Sequence, residues 1–240
     1  TTSWESILDN TSLFLAFGGI PLKNGQISQG GVGSHIQKEY LSKASSKGIK
    51  FINVSPLKSD LETEGATKWI PLRPNTDVAL MLALCYELDK AGVTNKEFID
   101  RYTVGFEKFL GYLKGLSDGI VKSADWASKV TGISEEVIFH LVEEIKKSQR
   151  TIISVSWSLT RQSHGEQPNW AAIALASIIG DIGKPGGGIG FGYSAMNSIG
   201  NHYEKIPAVP FPVGKNSIKK FIPVARISEM LESPGASFDY

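Results

Sequence analysis

The residue with the most specific potential chemistry in this 240-residue sequence is Asp77, at the predicted start of a long apolar helix. It follows Asn75 and Thr76, either of which is a good helix N-cap, and its charge suits the helix dipole. A carboxylate there can accept two hydrogen bonds from a guanine edge, one from the ring N–H and one from the exocyclic amine. No other base presents that pair of donors. The residues alone leave open the alternative that Asp77 only stabilises the helix terminus.

Small or turn-forming residues lie at the ends of three predicted strands, at Gly18–Pro21, Ser55–Lys58 and Trp157–Ser158. In parallel α/β sheets, ligands bind beyond the carboxyl ends of the strands. Small residues in that place let backbone N–H groups approach a phosphate closely. The sequence therefore indicates a phosphate-binding edge of the sheet. The alternative is that glycine and proline simply end the strands.

Two side chains shortly after the last of these strands are further candidates for ligand binding. Arg161 could pair with a phosphate, because its guanidinium matches the geometry of phosphate oxygens. His164 could donate a hydrogen bond to a ligand. An ordinary loop histidine, satisfied by the backbone, is the alternative for His164.

Several other classes of site and partner are excluded by the sequence. Its four histidines show no metal-ligand spacing, and it has no nucleophile elbow, no Walker A loop and no G-x-G-x-x-G after a strand. A single cysteine, Cys85, rules out an internal disulfide. The net charge of +1 argues against binding nucleic acid or a membrane surface through bulk charge, and the apolar runs are too short to span a bilayer.

The elements that must position these residues alternate between short apolar strands and helices, which predicts an α/β fold. We expect a Rossmann-like three-layer domain with a mostly parallel sheet over residues 1–160. Residues 161–240 are expected to be a helix-and-loop segment of a neighbouring α/β domain, and residues 183–190 to be irregular because they are rich in glycine. The predicted strands are 13–17, 49–54, 69–71 and 151–159, and the predicted helices are 35–46, 78–90, 95–102, 105–113, 124–130, 135–147, 167–179 and 224–232.

Several motifs follow one another along nearly the whole chain. They are W-I-P-x-x-P-N-T-D-V-A-L-M-L from Trp69, W-S-L-x-R from Trp157, H-G-E-Q from His164 and P-G-G-G-x-G from Pro185. Their order resembles the molybdenum oxidoreductases of the dimethyl sulfoxide reductase family, with the greatest similarity to the biotin sulfoxide and trimethylamine N-oxide reductase branch. The resemblance implies a molybdenum cofactor with two molybdopterin guanine dinucleotides, and the reduction of S-oxides or N-oxides by oxygen-atom transfer.

The resemblance also implies roles for particular residues. The guanosine diphosphate part of the cofactor would lie among residues that follow the predicted strands 13–17, 49–54 and 69–71. The pyrophosphate and pterin would lie near residues at the end of the predicted strand 151–159. The family's serine ligand to molybdenum lies upstream of this region and its closing β-rich domain lies downstream. We therefore expect a fragment that holds no catalytic residue or metal ligand and is inactive alone. The implied cofactor-binding residues are Ile20, Pro21, Ser55, Leu57, Thr76, Asp77, Trp157, Ser158, Arg161, His164 and Asn197.

Some residues depart from the family pattern, and they keep two alternatives open. Ile20 stands where Asn is usual, Ser55 where Asn or Asp is usual, and Lys58 where Arg is usual. These departures favour a non-catalytic α/β binding module. The other alternative is an NAD-dependent dehydrogenase domain, against which the missing glycine fingerprint argues.

The resemblance also sets expectations for partners and location. The expected partners are a small S-oxide or N-oxide substrate, the remaining domains of the same polypeptide and an electron-donor protein, with no nucleic acid and no membrane span. The expected location is the cytoplasm or periplasm of a bacterium. A complete protein freed of a tag is the alternative to a fragment.

Overall fold

The computed structural model describes residues 2–26, 34–65, 67–193, 195–196 and 198–201, and, nearer the C-terminus, 211–212, 214–215, 217–218 and 221–235. The chain divides into two compact units, Thr1–Tyr203 and Glu204–Tyr240. In the second unit, the described residues include a 3-10 turn at Val224–Arg226 and a short helix at Ile227–Glu232. All the elements discussed below belong to the first unit.

Within the described residues, five strands form one parallel sheet in the order β3-β2-β1-β4-β5. The central strand β1 and its neighbour β4 are buried along their whole length, as is typical of strands covered by helices on both faces. The strand order changes direction between β1 and β4, which makes their carboxyl ends the switch point where such sheets bind ligands. The strands are β1 Leu13–Phe17, β2 Lys50–Val54, β3 Thr67–Ile70, β4 Thr151–Val155 and β5 Gly188–Phe191.

Helices cover both faces of the sheet. On one face, α1 and α2 contribute Trp4, Ile7 and Leu41 to a core that includes Phe14 and Phe51 of the strands. On the other face, α3, α6, α7 and α8 form the larger core around the opposite side chains of the same strands. The helices of this unit are α1 Trp4–Asn10, α2 Gln37–Ser46, α3 Asp77–Lys90, α4 Lys96–Tyr102, α5 Phe106–Leu113, α6 Ala124–Thr131, α7 Glu135–Lys147 and α8 Gln167–Ile179.

The structure confirms the predicted α/β class and the Rossmann-like sheet, and it corrects three details of the prediction. The strand expected to run to residue 159 ends at Val155, because Ser156 caps a 3-10 turn at Trp157–Thr160 by accepting from the Ser158 N–H. The prediction that 183–190 is irregular is wrong for β5. The Tyr193 ring lies so close to Gly190 that a Cβ at this position would clash with it. Helix α1 was not predicted.

The predicted domain boundary near residue 160 stays a prediction, while the compact units of this chain divide after Tyr203. Helix α8 packs against α3 and β4, and β5 hydrogen-bonds to β4, so both belong to the first compact unit. The apolar residues of α8 are buried against the sheet, and this packing joins α8 to the preceding α/β unit. No helix among the described residues is long and apolar enough to cross a membrane.

One buried carboxylate ties β4 to the turn before β5. Asp181 is 6% exposed and accepts hydrogen bonds from Arg150 Nη1 at 2.6 Å, the Thr151 N–H at 2.9 Å and Lys184 Nζ at 3.2 Å. Removing its charge leaves a partly buried guanidinium without its anion, so we expect Asp181→Asn to lower the free energy of unfolding by about 2–3 kcal/mol. Urea denaturation measures this.

The matched control is Asp9→Asn, whose carboxylate forms an exposed ion pair with Lys47. Because exposed ion pairs contribute little, this variant is expected to unfold at nearly the wild-type urea concentration. Equal effects of the two substitutions would contradict the structural role given to Asp181.

Candidate nucleotide-binding site

The loop after β1 is held against the loop after β2. Gly18 and Gly19 have φ values of +81° and +70°, and the Ile20 N–H donates to the Asp60 carbonyl at 2.6 Å. The Ile20 side chain is fully buried, and its carbonyl accepts from Gln37 Nε2 at 3.2 Å. The Ile20 side chain therefore lies in the core, and its N–H and carbonyl form hydrogen bonds within the protein. Its predicted contact with the cofactor stays a prediction, as does that of Pro21, which is also buried.

The loop after β2 is a turn fixed by its own hydrogen bonds. Ser55 is fully buried, its Oγ donates to Asp60 Oδ2 at 2.5 Å, and the Leu57 N–H donates to Ser55 Oγ at 3.3 Å. The buried Asn53 donates from Nδ2 to the carbonyls of Leu57 and Lys58, both at 3.2 Å. Leu57 itself is 56% exposed. The turn is thus held by hydrogen bonds within the protein, with the Leu57 side chain on its surface.

The start of α3 follows β3 and carries Thr76 and Asp77. Thr76 Oγ1 donates to the Arg73 carbonyl at 2.6 Å, which leaves the first turn of the helix without a side-chain cap. Asp77 is 6% exposed, and burial raises the pKa of its carboxyl from 3.8 to about 6. Within the described part of the chain, no cation or other side chain pairs with this carboxylate. A buried carboxylate of this kind is stabilised by a ligand that donates hydrogen bonds.

The turn after β4 holds Trp157 and Ser158. The Ser156 N–H donates to the Phe17 carbonyl at 2.9 Å, and a Cβ on Gly18 would lie 2.6 Å from Ser156 Cβ, so this turn touches the β1 loop. The Trp157 ring packs on Phe191 at 5.9 Å between centroids, and its buried Nε1 has no hydrogen-bond acceptor among the described residues. Ser158 is exposed and its Oγ lies 3.0 Å from Ser156 Oγ.

The remaining predicted site residues lie farther along the chain. Arg161 is exposed and forms no ion pair with any residue that the structure describes. His164 has a φ of +56°, its side chain is 81% exposed, and its Nδ1 is 3.9 Å from Glu166 Oε1. Asn197 lies outside the described residues. Both side chains are therefore open to a ligand, and the Arg161 N–H joins this segment to the turn after β4 by donating to the Ser158 carbonyl at 3.1 Å.

These contacts bring the loops after β1, β2 and β4 together, and the chain from β3 to α3 leaves the same edge of the sheet. The edge offers a carboxylate acceptor, an unpaired indole N–H and glycines without room for a side chain. Sequence reasoning missed Asp60, Asn53 and Gln37, which fix the loops. The signal for Asp60 was its place five residues beyond Ser55, since nucleotide-binding sheets often carry an acid after the second strand.

Two cavities lie apart from the predicted cofactor-binding residues. One of about 840 Å³ lies between α4, α5 and α8 and is lined mainly by apolar side chains, Tyr102, Phe106 and Trp170 among them. Another, of about 710 Å³, lies beside the β2 loop at Lys58 and Trp69. In the described residues there is no group of three or more His, Cys, Asp or Glu side chains that could hold a metal ion. The candidate site is thus an open edge of the sheet.

A three-layer parallel sheet with this strand order defines a Rossmann-like fold. Comparison with known families is more specific. A family model described as molybdopterin oxidoreductase matches residues 1–235, and the chain belongs to that family. The family is named for its molybdopterin cofactor.

Similar proteins carry related names. The chain is 42% identical to a biotin sulfoxide reductase of Cereibacter sphaeroides, over 98% of this chain and 32% of that protein. It is 35% identical to a trimethylamine-N-oxide reductase of Haemophilus influenzae and 36% identical to a dimethyl sulfoxide/trimethylamine N-oxide reductase of Rhodobacter capsulatus, over all of this chain and 30% of each relative. The chain thus spans about a third of the length of these relatives.

One similar solved structure is acetylene hydratase from Pelobacter acetylenicus, with a TM-score of 0.56 and 22% sequence identity. The match covers 74% of this chain and 23% of that protein. At this identity it supports the fold alone.

Proposed function

We propose that this chain is the cofactor-binding portion of a molybdenum-dependent oxidoreductase that reduces S-oxides or N-oxides by oxygen-atom transfer. Membership of the molybdopterin oxidoreductase family supports this, as do relatives named for biotin sulfoxide, dimethyl sulfoxide and trimethylamine N-oxide. Since the chain spans about a third of those relatives, the substrate pocket would be completed by other parts of the polypeptide.

The finer proposal is that the cofactor carries two molybdopterin guanine dinucleotides and that this chain holds one guanosine diphosphate portion. The observation that supports it best is Asp77, a buried carboxylate at the sheet's ligand edge that lacks a cation among the described residues. A guanine edge would supply the two N–H donors that it needs. Trp157 Nε1, a buried donor without an acceptor in the described residues, suits an oxygen of the same ligand.

When bound, the molybdenum–pterin group supplies the two-electron redox chemistry. The residues of this chain bind and orient its nucleotide tail. The Gly18–Gly19 turn lets the loops after β1, β2 and β4 pack closely together, since a Cβ on either glycine would meet Ser156 or Asp60. The exposed Arg161 supplies positive charge for a phosphate. We propose further that a donor protein supplies the electrons and that the enzyme acts in the bacterial cytoplasm or periplasm.

The test is the cofactor content of the full-length protein, purified from a host that makes the molybdenum cofactor. We expect acid treatment to release molybdenum and GMP, with about two GMP per molybdenum for the proposed form. Mass spectrometry of the metal and chromatography of the nucleotide measure both. The same protein from a cofactor-deficient host should release neither, and a well-folded, cofactor-supplied sample that also releases neither would refute the proposal.

A further inference from the structure

We propose that a groove on the helical surface of the first unit is the docking surface for an apolar segment of the same polypeptide that lies outside residues 1–240. The groove lies between α4, α5 and α8 and has a volume of about 840 Å³. The inference rests on the proposed function and deepens it, because it names the surface on which the parts that complete the substrate pocket would pack.

Large apolar side chains are exposed to solvent along the α4–α5–α8 groove. Val104, at the turn between α4 and α5, is fully exposed. Trp170, near the start of α8, is 65% exposed, and Tyr102, at the end of α4, is 63% exposed. Ile173 is exposed as well, and all four residues line the same groove. Single exposed apolar residues are ordinary, but a contiguous patch of them marks an interaction surface.

The hydroxyl groups and the charge of the groove are already paired within the protein. Thr103 Oγ1 and Ser177 Oγ each donate to a backbone carbonyl one turn earlier in the chain, at 2.7 and 2.8 Å. Lys184 is the only charged side chain among the described residues that line the groove, and its Nζ donates to Asp181 Oδ1 at 3.2 Å. The wall therefore favours an apolar occupant over a charged one, which would lose its hydration without gaining an unpaired partner.

The exposure of the rim favours a protein segment over a small molecule. A small molecule inside the groove would leave the fully exposed Val104 side chain in water, whereas a packed protein surface covers a groove and its rim together. Tryptophan and tyrosine are also enriched at the centres of protein interfaces, and they often contribute most of the binding energy. Trp170 and Tyr102 are such anchors on this surface.

The remainder of the polypeptide is the occupant that the relatives favour. Because the chain spans 32% of the biotin sulfoxide reductase it resembles, about two-thirds of a protein of that length lies outside it. The groove also begins beside the candidate nucleotide-binding site. The Gln167 N–H donates to the His164 carbonyl at 3.0 Å, and the Trp170 N–H donates to the Glu166 carbonyl at 3.3 Å. A segment docked at Trp170 is therefore close to the segment that carries His164.

Photo-cross-linking of the purified full-length protein tests the inference. Val104 is replaced by p-benzoylphenylalanine, which disturbs no packed side chain because Val104 is fully exposed. We expect irradiation to join this residue to a peptide of the same polypeptide from outside residues 1–240, with a yield that does not depend on protein concentration. Mass spectrometry of the digest identifies the peptide. A cross-link between two copies, a cross-link confined to residues 1–240, or no cross-link would each overturn the inference.

A second substitution in the cross-linking protein tests the groove itself. Trp170→Asp should lower the cross-link yield at least about twofold, because docking would then bury an unpaired carboxylate. The matched control is Phe139→Asp, which replaces an exposed aromatic side chain of α7 that does not line the groove and should keep the yield. An unchanged yield with Trp170→Asp, or an equal loss with both, would contradict the inference. If Trp170→Asp fails to fold, the cross-link from position 104 still decides.

The cofactor content of the same preparation separates this inference from the proposed function. Protein that releases molybdenum and GMP but forms no cross-link to a segment outside residues 1–240 keeps the proposed function and loses the inference. Protein that releases neither loses the proposed function and, with it, the assignment of the docked segment to the substrate pocket.

Discussion

Replacing Gly19 by alanine is expected to destabilise the protein by about 3–4 kcal/mol and to abolish nucleotide binding. Gly19 has a φ of +70°, a left-handed conformation that costs an L-residue about 1–2 kcal/mol. Its Cβ would also lie 2.5 Å from Asp60 Cβ and 2.6 Å from the Asp60 carbonyl oxygen. Overpacking of that kind adds about 1–3 kcal/mol, because backbone on both sides must move.

Gly48→Ala separates the effect of backbone strain from the effect of overpacking. Gly48 has a φ of +83°, but nothing lies within 4 Å of the position that its Cβ would take. This control should show the backbone strain alone, about 1–2 kcal/mol in urea denaturation, and should bind guanosine diphosphate like the wild type. If Gly19→Ala behaves like Gly48→Ala in both measurements, the contact between the β1 and β2 loops does not shape the site.

The fold could be predicted from the sequence where short-range patterns decide the structure. Apolar runs such as Leu13–Phe17 and the apolar faces of α3 and α7 carry their own signals, and the structure confirms these elements, although neither helix has a side-chain hydrogen bond at its N-cap. The turn after Val155 and strand β5 could not be found this way, because tertiary contacts determine both. Ser156 bonds to Phe17 across the sheet, and β5 exists only as a partner of β4.

The candidate site, like the fold, could be predicted only where local sequence patterns mark its residues. Strand ends and a helix start mark Ser55 and Asp77 in the sequence, but burial decides their chemistry. The Ser55 hydroxyl donates its hydrogen bond to Asp60, and Asp77 has no comparable partner among the described side chains. Nothing in the spacing of single residues indicates that Ile20 faces the core or that Asp60 joins two loops. Those facts depend on contacts between segments about 40 residues apart in the sequence.

Replacing Asp77 by asparagine is expected to change stability and nucleotide binding in opposite directions. The pKa of the folded carboxyl is about 6 against 3.8 in the ordinary state, so between about pH 4 and 6 the folded protein binds more protons than the unfolded chain. Stability therefore falls as pH rises through that range, and at pH 7 the charged form costs up to about 3 kcal/mol. Asparagine carries no charge, so the variant without nucleotide should gain about 1–3 kcal/mol at pH 7 and little at pH 4.

The same substitution should weaken guanosine diphosphate binding at least 100-fold, because asparagine turns an N–H donor toward the exocyclic amine of guanine and lacks the charge that strengthens both hydrogen bonds. Inosine diphosphate, which lacks that amine, tests the geometry: the wild type should prefer guanosine diphosphate, and Asp77→Asn should show no preference. Asp125→Asn, at the exposed start of α6, is the control and should change neither quantity. A variant that gains stability yet keeps its preference for guanine would show that Asp77 is a buried charge with no part in base recognition.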